Sequence, residues 1–206
     1  NPHPSRHIDF DPGLGLINMV DRDDKTEPNY YEGILDDNEE RAFELSQIGI
    51  MSKVKPNLLP YKHLVTLAQS KTNLKEIIEA LERSGEVKDV DESKLENRVR
   101  CIKQWIQNYA PESVVFEIQK EKPNIKFDDL QNKCIKLLIE KMKEVEWSPE
   151  GIHNSFYELQ EQNEIPAKKF FKIMYNVLLN KERGPRLGFF LATMNKEFII
   201  ERLESY

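Results

Sequence analysis

From residue 36 onward, apolar positions return every three or four residues, and helix start and stop signals bracket each stripe. Asp36-Asp37-Asn38-Glu39 supplies a cap and first-turn acids ahead of Ala42, Phe43, Leu45 and Ile48. Pro60 opens a second helix with Leu64, Val65, Leu67 and Ala68 inward. Asn73 caps a third, which carries Leu74, Ile77, Ile78 and Leu81 and stops at Gly85. A fourth runs from Asp91 to Tyr109 through Leu95, Val99, Ile102, Trp105 and Ile106, and Pro111 ends it. Val114 to Ile118 has no strand partner in the pattern and reads as an extended connection. Asp128 to Glu146 is a long fifth helix, and Ser148-Pro149-Glu150 starts the next with Ser at the cap and Pro at the first helical position. Pro166 begins a helix ending near Asn180, Gly184-Pro185 restarts the chain, and Asn195 caps a last helix to Tyr206.

The first 35 residues break this rhythm. Pro2, Pro4, Pro12, Gly13, Gly15, Pro28 and Gly33 concentrate turn chemistry there and predict a partly irregular segment. Gly13-Leu14-Gly15 lacks the third glycine and the preceding strand of a dinucleotide loop, so that reading is discarded. The fold class expected is all-α, a helical bundle in two subdomains behind a partly irregular connection. The boundaries expected are 1–59 for the connection, 60–146 for the first subdomain and 147–206 for the second, with a seam near 145–149.

Composition changes this picture little, but charge changes it more. Charged residues are 32% and hydrophobic ones 39% of 206, as expected of a soluble helical protein. No run of about 18 apolar residues occurs, so no membrane span is expected. Asn1-Pro2-His3-Pro4-Ser5-Arg6 has neither an initiator Met nor an apolar core, so the chain reads as cut from something longer rather than as a leader. Cys101 and Cys134 both fall in helical patterns and are read as reduced thiols of a cytoplasmic protein. The net charge of −6 argues against a generic nucleic-acid binder. Its distribution does not, because residues 1–50 hold four Lys/Arg against twelve Asp/Glu, whereas residues 165–196 hold seven Lys/Arg against Glu182 alone. A local basic patch can face phosphate because exposed charges are screened beyond roughly 8–10 Å.

Little in the chain suggests a reaction centre. His3, His7, His63 and His153 stand at no zinc spacing with each other or the cysteines, so no metal is expected. No nucleophile elbow or Cys/His protease pattern occurs, and the acid pairs are read as caps and solvated faces. One segment stands apart, running from Lys168-Lys169-Phe170-Phe171-Lys172 through Tyr175 and Lys181-Glu182-Arg183-Gly184-Pro185-Arg186 to Leu191. Aromatic and cationic side chains on one helix and its hinge suit single-stranded RNA, whose bases stack while Lys and Arg hold phosphates. Phe171, Met174, Leu178 and Leu179 share helical spacing and are assigned to the core.

At this point the residues resemble a known family. Ile8-Asp9-Phe10-Asp11-Pro12-Gly13-Leu14-Gly15-Leu16 is similar to the segment just after the catalytic domain of class I lysyl-tRNA synthetases. Trp147-Ser148-Pro149-Glu150-Gly151-Ile152-His153 and Lys181-Glu182-Arg183-Gly184-Pro185-Arg186-Leu187-Gly188 are similar to their C-terminus, a helical cage that receives the anticodon. The resemblance implies a partner, tRNA(Lys), no DNA and no membrane partner, a monomer, and a parent enzyme that uses ATP and Mg on an upstream Rossmann domain. Neither nucleotide-binding signature of that domain occurs here, and Ile50-Met51-Ser52-Lys53 is a chance likeness to one of them. No catalytic residue is therefore expected within the chain. In the similar glutamyl enzymes an Arg stands where this chain has Tyr175, a Gly at Asn180, and the residue before the hinge Pro at Gly184. Replacing that Arg by Tyr keeps stacking but removes a bidentate donor.

The expected RNA contacts are Tyr175, Arg183, Gly184 and Arg186, with Lys168, Lys169, Lys172 and Lys181 nearby and Trp105 and Tyr109 as outer contacts. The competing reading is a helical protein-interaction scaffold whose basic patch meets acidic partners.

Overall fold

The computed structural model describes residues 10–47, 59–84 and 91–206, so His3, His7, Ile48, the Ile50–Lys53 motif and Gly85 lie outside the described residues. Ten helices and no strand occur among the described residues: α1 Leu14–Tyr31, α2 Asp37–Ser46, α3 Tyr61–Ser70, α4 Leu74–Ser84, α5 Glu92–Asn108, α6 Asp129–Glu144, α7 Pro149–Asn163, α8 Ala167–Leu179, α9 Leu187–Ala192 and α10 Lys196–Glu204. Local chemistry accounts for the starts. Asp36 and Asp128 close reciprocal capping boxes with Glu39 and Gln131. Asp91, Ser148 and Asn195 each accept a backbone N–H of the first turn. Asn180 ends α8 in the left-handed conformation that Asn tolerates well.

The described chain forms two compact units, one of residues 1–64 with 89–111, the other of residues 65–88 with 112–206. The first corrects an expectation. Residues 14–31, read as partly irregular, are an 18-residue helix. Asp11 caps it from outside, one carboxylate oxygen accepting from the Gly13 N–H at 2.8 Å and the other from the Gly15 N–H at 2.7 Å. Its apolar rhythm is faint because the inward stripe carries charge: Asp21 is buried beside Ile17 and binds Lys25 and Lys62 at 2.9 and 3.1 Å. Asp24, three residues on, accepts from Arg98 of α5 at 2.5 Å and from the Tyr61 N–H at 2.9 Å.

Burial pushes the Asp21 carboxyl up, but the hydrogen bonds and charges of Lys62 and Lys25 outweigh it and leave the group below its ordinary 3.8. A carboxyl held low when folded contributes stability that is complete above that ordinary value and is lost as pH falls through the lower folded one. Asp21→Asn is therefore expected to cost about 1–3 kcal/mol near neutrality. Urea unfolding across pH should show variant and wild type converging in acid. A gap that stays constant down to the acid limit would rule out the ion pairs as its source.

In the second unit, α8 lies among α6, α7 and α10, and α9 packs on α4, α7 and α10. Phe156, Phe170, Ile173, Met174, Leu138, Met142 and Phe190 are wholly buried there. Helix α9 is apolar all round and every one of its six residues is buried, as such a sequence requires. Residues 145–149 join α6 to α7 inside this unit, whose single core draws on both helices.

An extended strap, residues 112–127, crosses the unit without a ladder of its own. Its carbonyls are satisfied by side chains instead. Arg202 donates to the carbonyls of Gln119, Lys120 and Glu121 at 2.7–3.1 Å and to that of Val177 at 3.0 Å. Lys181 donates to Glu112 and Val115, Tyr206 to Pro123, and the Gln69 side chain accepts the Phe116 N–H.

Candidate nucleic-acid interface

The buried stripe of α8, Ala167, Phe170, Ile173, Met174, Val177 and Leu178, decides which of its side chains remain outside. Lys168, Lys169 and Lys172 are exposed, and Phe171 and Tyr175 are half-buried at the border. Residues 181–184 and Arg186 are exposed as well. The sequence-derived cluster thus lies on one unit, around α8 and the hinge that follows it.

Its seven cations are not equivalent. Lys181 is spent on the strap, and Lys196 binds the carbonyls of Lys143 and Val145 while lying 5.7 Å from the Trp147 ring centre. Lys172 pairs with Glu182 at 2.5 Å, and that hydrogen bond and charge hold the Glu182 carboxyl below its ordinary value. The pair is exposed on both sides and so is held loosely. Lys168, Lys169, Arg183 and Arg186 have no hydrogen bond or ion pair among the described residues. They are the cations free to meet an anion.

Tyr175 shapes the hinge. Its hydroxyl donates to the Pro185 carbonyl at 2.6 Å, and burial pushes its phenol up. A Cβ on Gly184 would stand 2.8 and 2.9 Å from two Tyr175 ring carbons and 2.8 Å from Leu179 Cδ1. The ring is thus packed beneath the hinge backbone, so its place is to hold Pro185 and, through it, Arg183 and Arg186. Gly188 fixes the far side, where a Cβ would meet the Pro149 carbonyl oxygen at 2.4 Å and His153 Cβ at 3.1 Å. The helix start after Gly184-Pro185 is consequently a buried junction with α7 rather than an open anion site.

Trp105 and Tyr109 belong to the other unit. Trp105 is corrected from outer contact to core residue: it is 4% exposed and its indole N–H donates to the Pro12 carbonyl at 2.8 Å. Tyr109 is exposed. Sequence reasoning passed over another feature, the exposed pair His153 and Tyr157 on α7, with ring centres 5.1 Å apart. The Tyr157 ring centre is 6.2 Å from that of Phe171, which itself stands 4.9 Å from buried Phe156. The signal was present, since Ile152, Ser155, Phe156 and Leu159 fill the inward stripe and leave two aromatics outside it. Among the described residues no three His, Cys, Asp or Glu side chains gather to hold a metal ion, and no helix is long and apolar enough to cross a membrane.

A basic, aromatic-edged hinge on an all-helical unit is what an RNA-loop receiver requires, and residues 108–206 match the family described as anticodon binding domain. Over 98% of its length the chain is 35% identical to a lysine–tRNA ligase of Picrophilus torridus, covering 40% of that protein. It is 34% identical to one of Thermococcus kodakarensis over 97% of its length and 32% identical to one of Archaeoglobus fulgidus over 98%, covering 40% and 38% of those proteins. The chain is thus similar over nearly all its length to part of these lysine–tRNA ligases, and over residues 108–206 to an anticodon binding domain, which supports a place in the C-terminal portion of a lysyl-tRNA synthetase. It spans about two fifths of the length of these relatives.

Proposed function

We propose that the chain binds the anticodon loop of tRNA(Lys) and positions that tRNA for aminoacylation by a lysine–tRNA ligase. The observation that carries this is the hinge on α8, which leaves four cations unpaired within the residues that match an anticodon binding domain. Lysine activation, with its ATP and Mg, belongs on this reading to a catalytic domain whose two signatures residues 1–206 do not contain. The working species is a cytoplasmic monomer with RNA rather than DNA as its partner.

Binding of purified chain to tRNA(Lys) and to competing tRNAs, titrated over salt, tests the proposal. Log affinity should fall linearly with log salt, with tRNA(Lys) the better competitor. Arg183→Ala and Arg186→Ala should each reduce the salt slope by about 1 if they hold phosphates. If one of them reads a base instead, it should cost about 1–3 kcal/mol of discrimination at a single anticodon position. Equal competition by every tRNA, or binding indifferent to salt, would leave the scaffold reading in its place.

A further inference from the structure

We propose that His153 and Tyr157 of α7, backed by Phe171 of α8, form the stacking platform on which unpaired bases of the bound RNA lie. This rests on the anticodon-loop reading and assigns base contact to α7, where the family resemblance had pointed to Tyr175.

The geometry argues for it in three ways. First, the aromatic surface of α8 is already occupied: Tyr175 is bound to Pro185 and covered by Gly184. Tyr157 is 42% exposed, and its neighbours His153 and Phe171 meet it at 60° and 78°, so they fix its tilt without stacking on it. Neither the Tyr157 hydroxyl nor the His153 imidazole has a hydrogen-bond partner among the described residues. Both are available to base edges. Both side chains lie outside the inward stripe of α7, which Ile152, Ser155, Phe156 and Leu159 fill.

Second, a chain of neighbouring residues links the platform to two of the free cations. Phe171 and Tyr175 are one turn apart on α8, Tyr175 holds Pro185, and Gly188 presses on His153, which lies one turn from Tyr157. This circuit returns to Phe171 and carries Arg186 on its hinge side and Lys168 one turn before Phe171. Phosphates held by those two cations leave their bases over the rings, the arrangement by which proteins grip unpaired strands.

Third, the acids nearby limit the site rather than cancel it. Glu158, next to Tyr157, is engaged by Lys141. Glu161, one turn beyond Tyr157, is exposed and repels phosphate, which ends the platform after one or two bases.

The test uses the 206-residue chain and an RNA hairpin carrying the lysine anticodon loop with 2-aminopurine at one loop position. Wild type should quench the 2-aminopurine on binding. Tyr157→Ala should abolish the quenching at the stacked position and weaken binding about 5- to 100-fold, while Tyr157→Phe restores both. The salt slope should not change in Tyr157→Ala, because no phosphate contact is lost. His153→Ala, a second exposed substitution on the same face, should also reduce quenching, with melting temperature as the control for folding. If Tyr157→Ala and His153→Ala bind and quench as wild type while Arg186→Ala weakens binding, the platform is overturned and the anticodon reading stands. If wild type does not distinguish this hairpin from one with a scrambled loop, the anticodon reading falls and the platform with it.

Discussion

Arg202→Ala should lower the stability of the second unit by about 3–5 kcal/mol, several hydrogen bonds to carbonyls being lost at once. Arg202 is 7% exposed and pairs with no carboxylate among the described residues; four carbonyls take its donors. Alanine would strand the buried Val177 carbonyl and release residues 119–121, and each buried group left unsatisfied costs about 1–3 kcal/mol. Water can reach the strap carbonyls, so the total stays below the sum of four. The melting temperature read by circular dichroism should fall by roughly 10–20 °C. Arg202→Lys should fall in between, because one ammonium cannot span the fork that a planar guanidinium fills. A loss smaller than about 2 °C in Arg202→Ala would show that core packing alone holds the strap in place.

Gly188→Ala should be nearly as costly to stability and more costly to function. The obstruction is backbone, the Pro149 carbonyl 2.4 Å from the new Cβ, and α9 is buried on every side, so it can withdraw only by disturbing its own packing. Overpacking of this kind costs about 1–3 kcal/mol, and an unyielding neighbour places it at the upper end. The relief is a shift of α9 away from α7, which carries Arg186 with it and separates the hinge from His153. Hairpin affinity should therefore drop at least about tenfold at a temperature where the variant is still folded. Gly184→Ala is the instructive contrast, since its obstacles are the Leu179 and Tyr175 side chains, which can yield. It should melt close to wild type while loosening the Tyr175–Pro185 bond. Wild-type affinity in Gly188→Ala would mean that the α7–α9 junction does not govern the site.

How far the sequence could be read depended on whether apolar spacing or specific polar contacts decide each element. Asn73, Ser148 and Asn195 cap the helices expected of them, Asp36 is the cap among the candidates at 36–39, and Asp91 and Asp128, expected as helix starts, cap theirs, because a cap is a local bond between near neighbours. Helix α1 escaped because its inward face holds Asp21 and Asp24, whose partners Lys62 and Arg98 lie 41 and 74 residues away. Its start was hidden too, since Asp11 caps across a Pro-Gly pair that reads as a turn. At the interface, composition located the basic hinge but could not sort its cations. Lys181 and Arg183 look alike in sequence, yet one anchors carbonyls of the strap and the other is free. Trp105 reads in the sequence both as part of the fourth helix's apolar stripe and as an outer contact; the stripe reading holds, and the acceptor that takes up its polar edge, Pro12, is 93 residues away.

The two units are each assembled from two stretches of chain, and this has a consequence for synthesis. The Thr193 carbonyl accepts from Lys71 and Arg83 across separations of 122 and 110 residues, and α4 packs on α9 within the second unit. A ribosome adding about 5–20 residues per second makes those partners roughly 6–24 s after Lys71. Through that interval α4 has been made but α9 has not, and Leu67, Ile77 and Leu81, all fully buried at the end, wait without the rest of their core. The first unit, by contrast, has its last residue once position 111 has emerged. Completion therefore runs from the amino end. A nascent chain halted between residues 111 and 187 would hold a finished first unit and an open apolar face on α4.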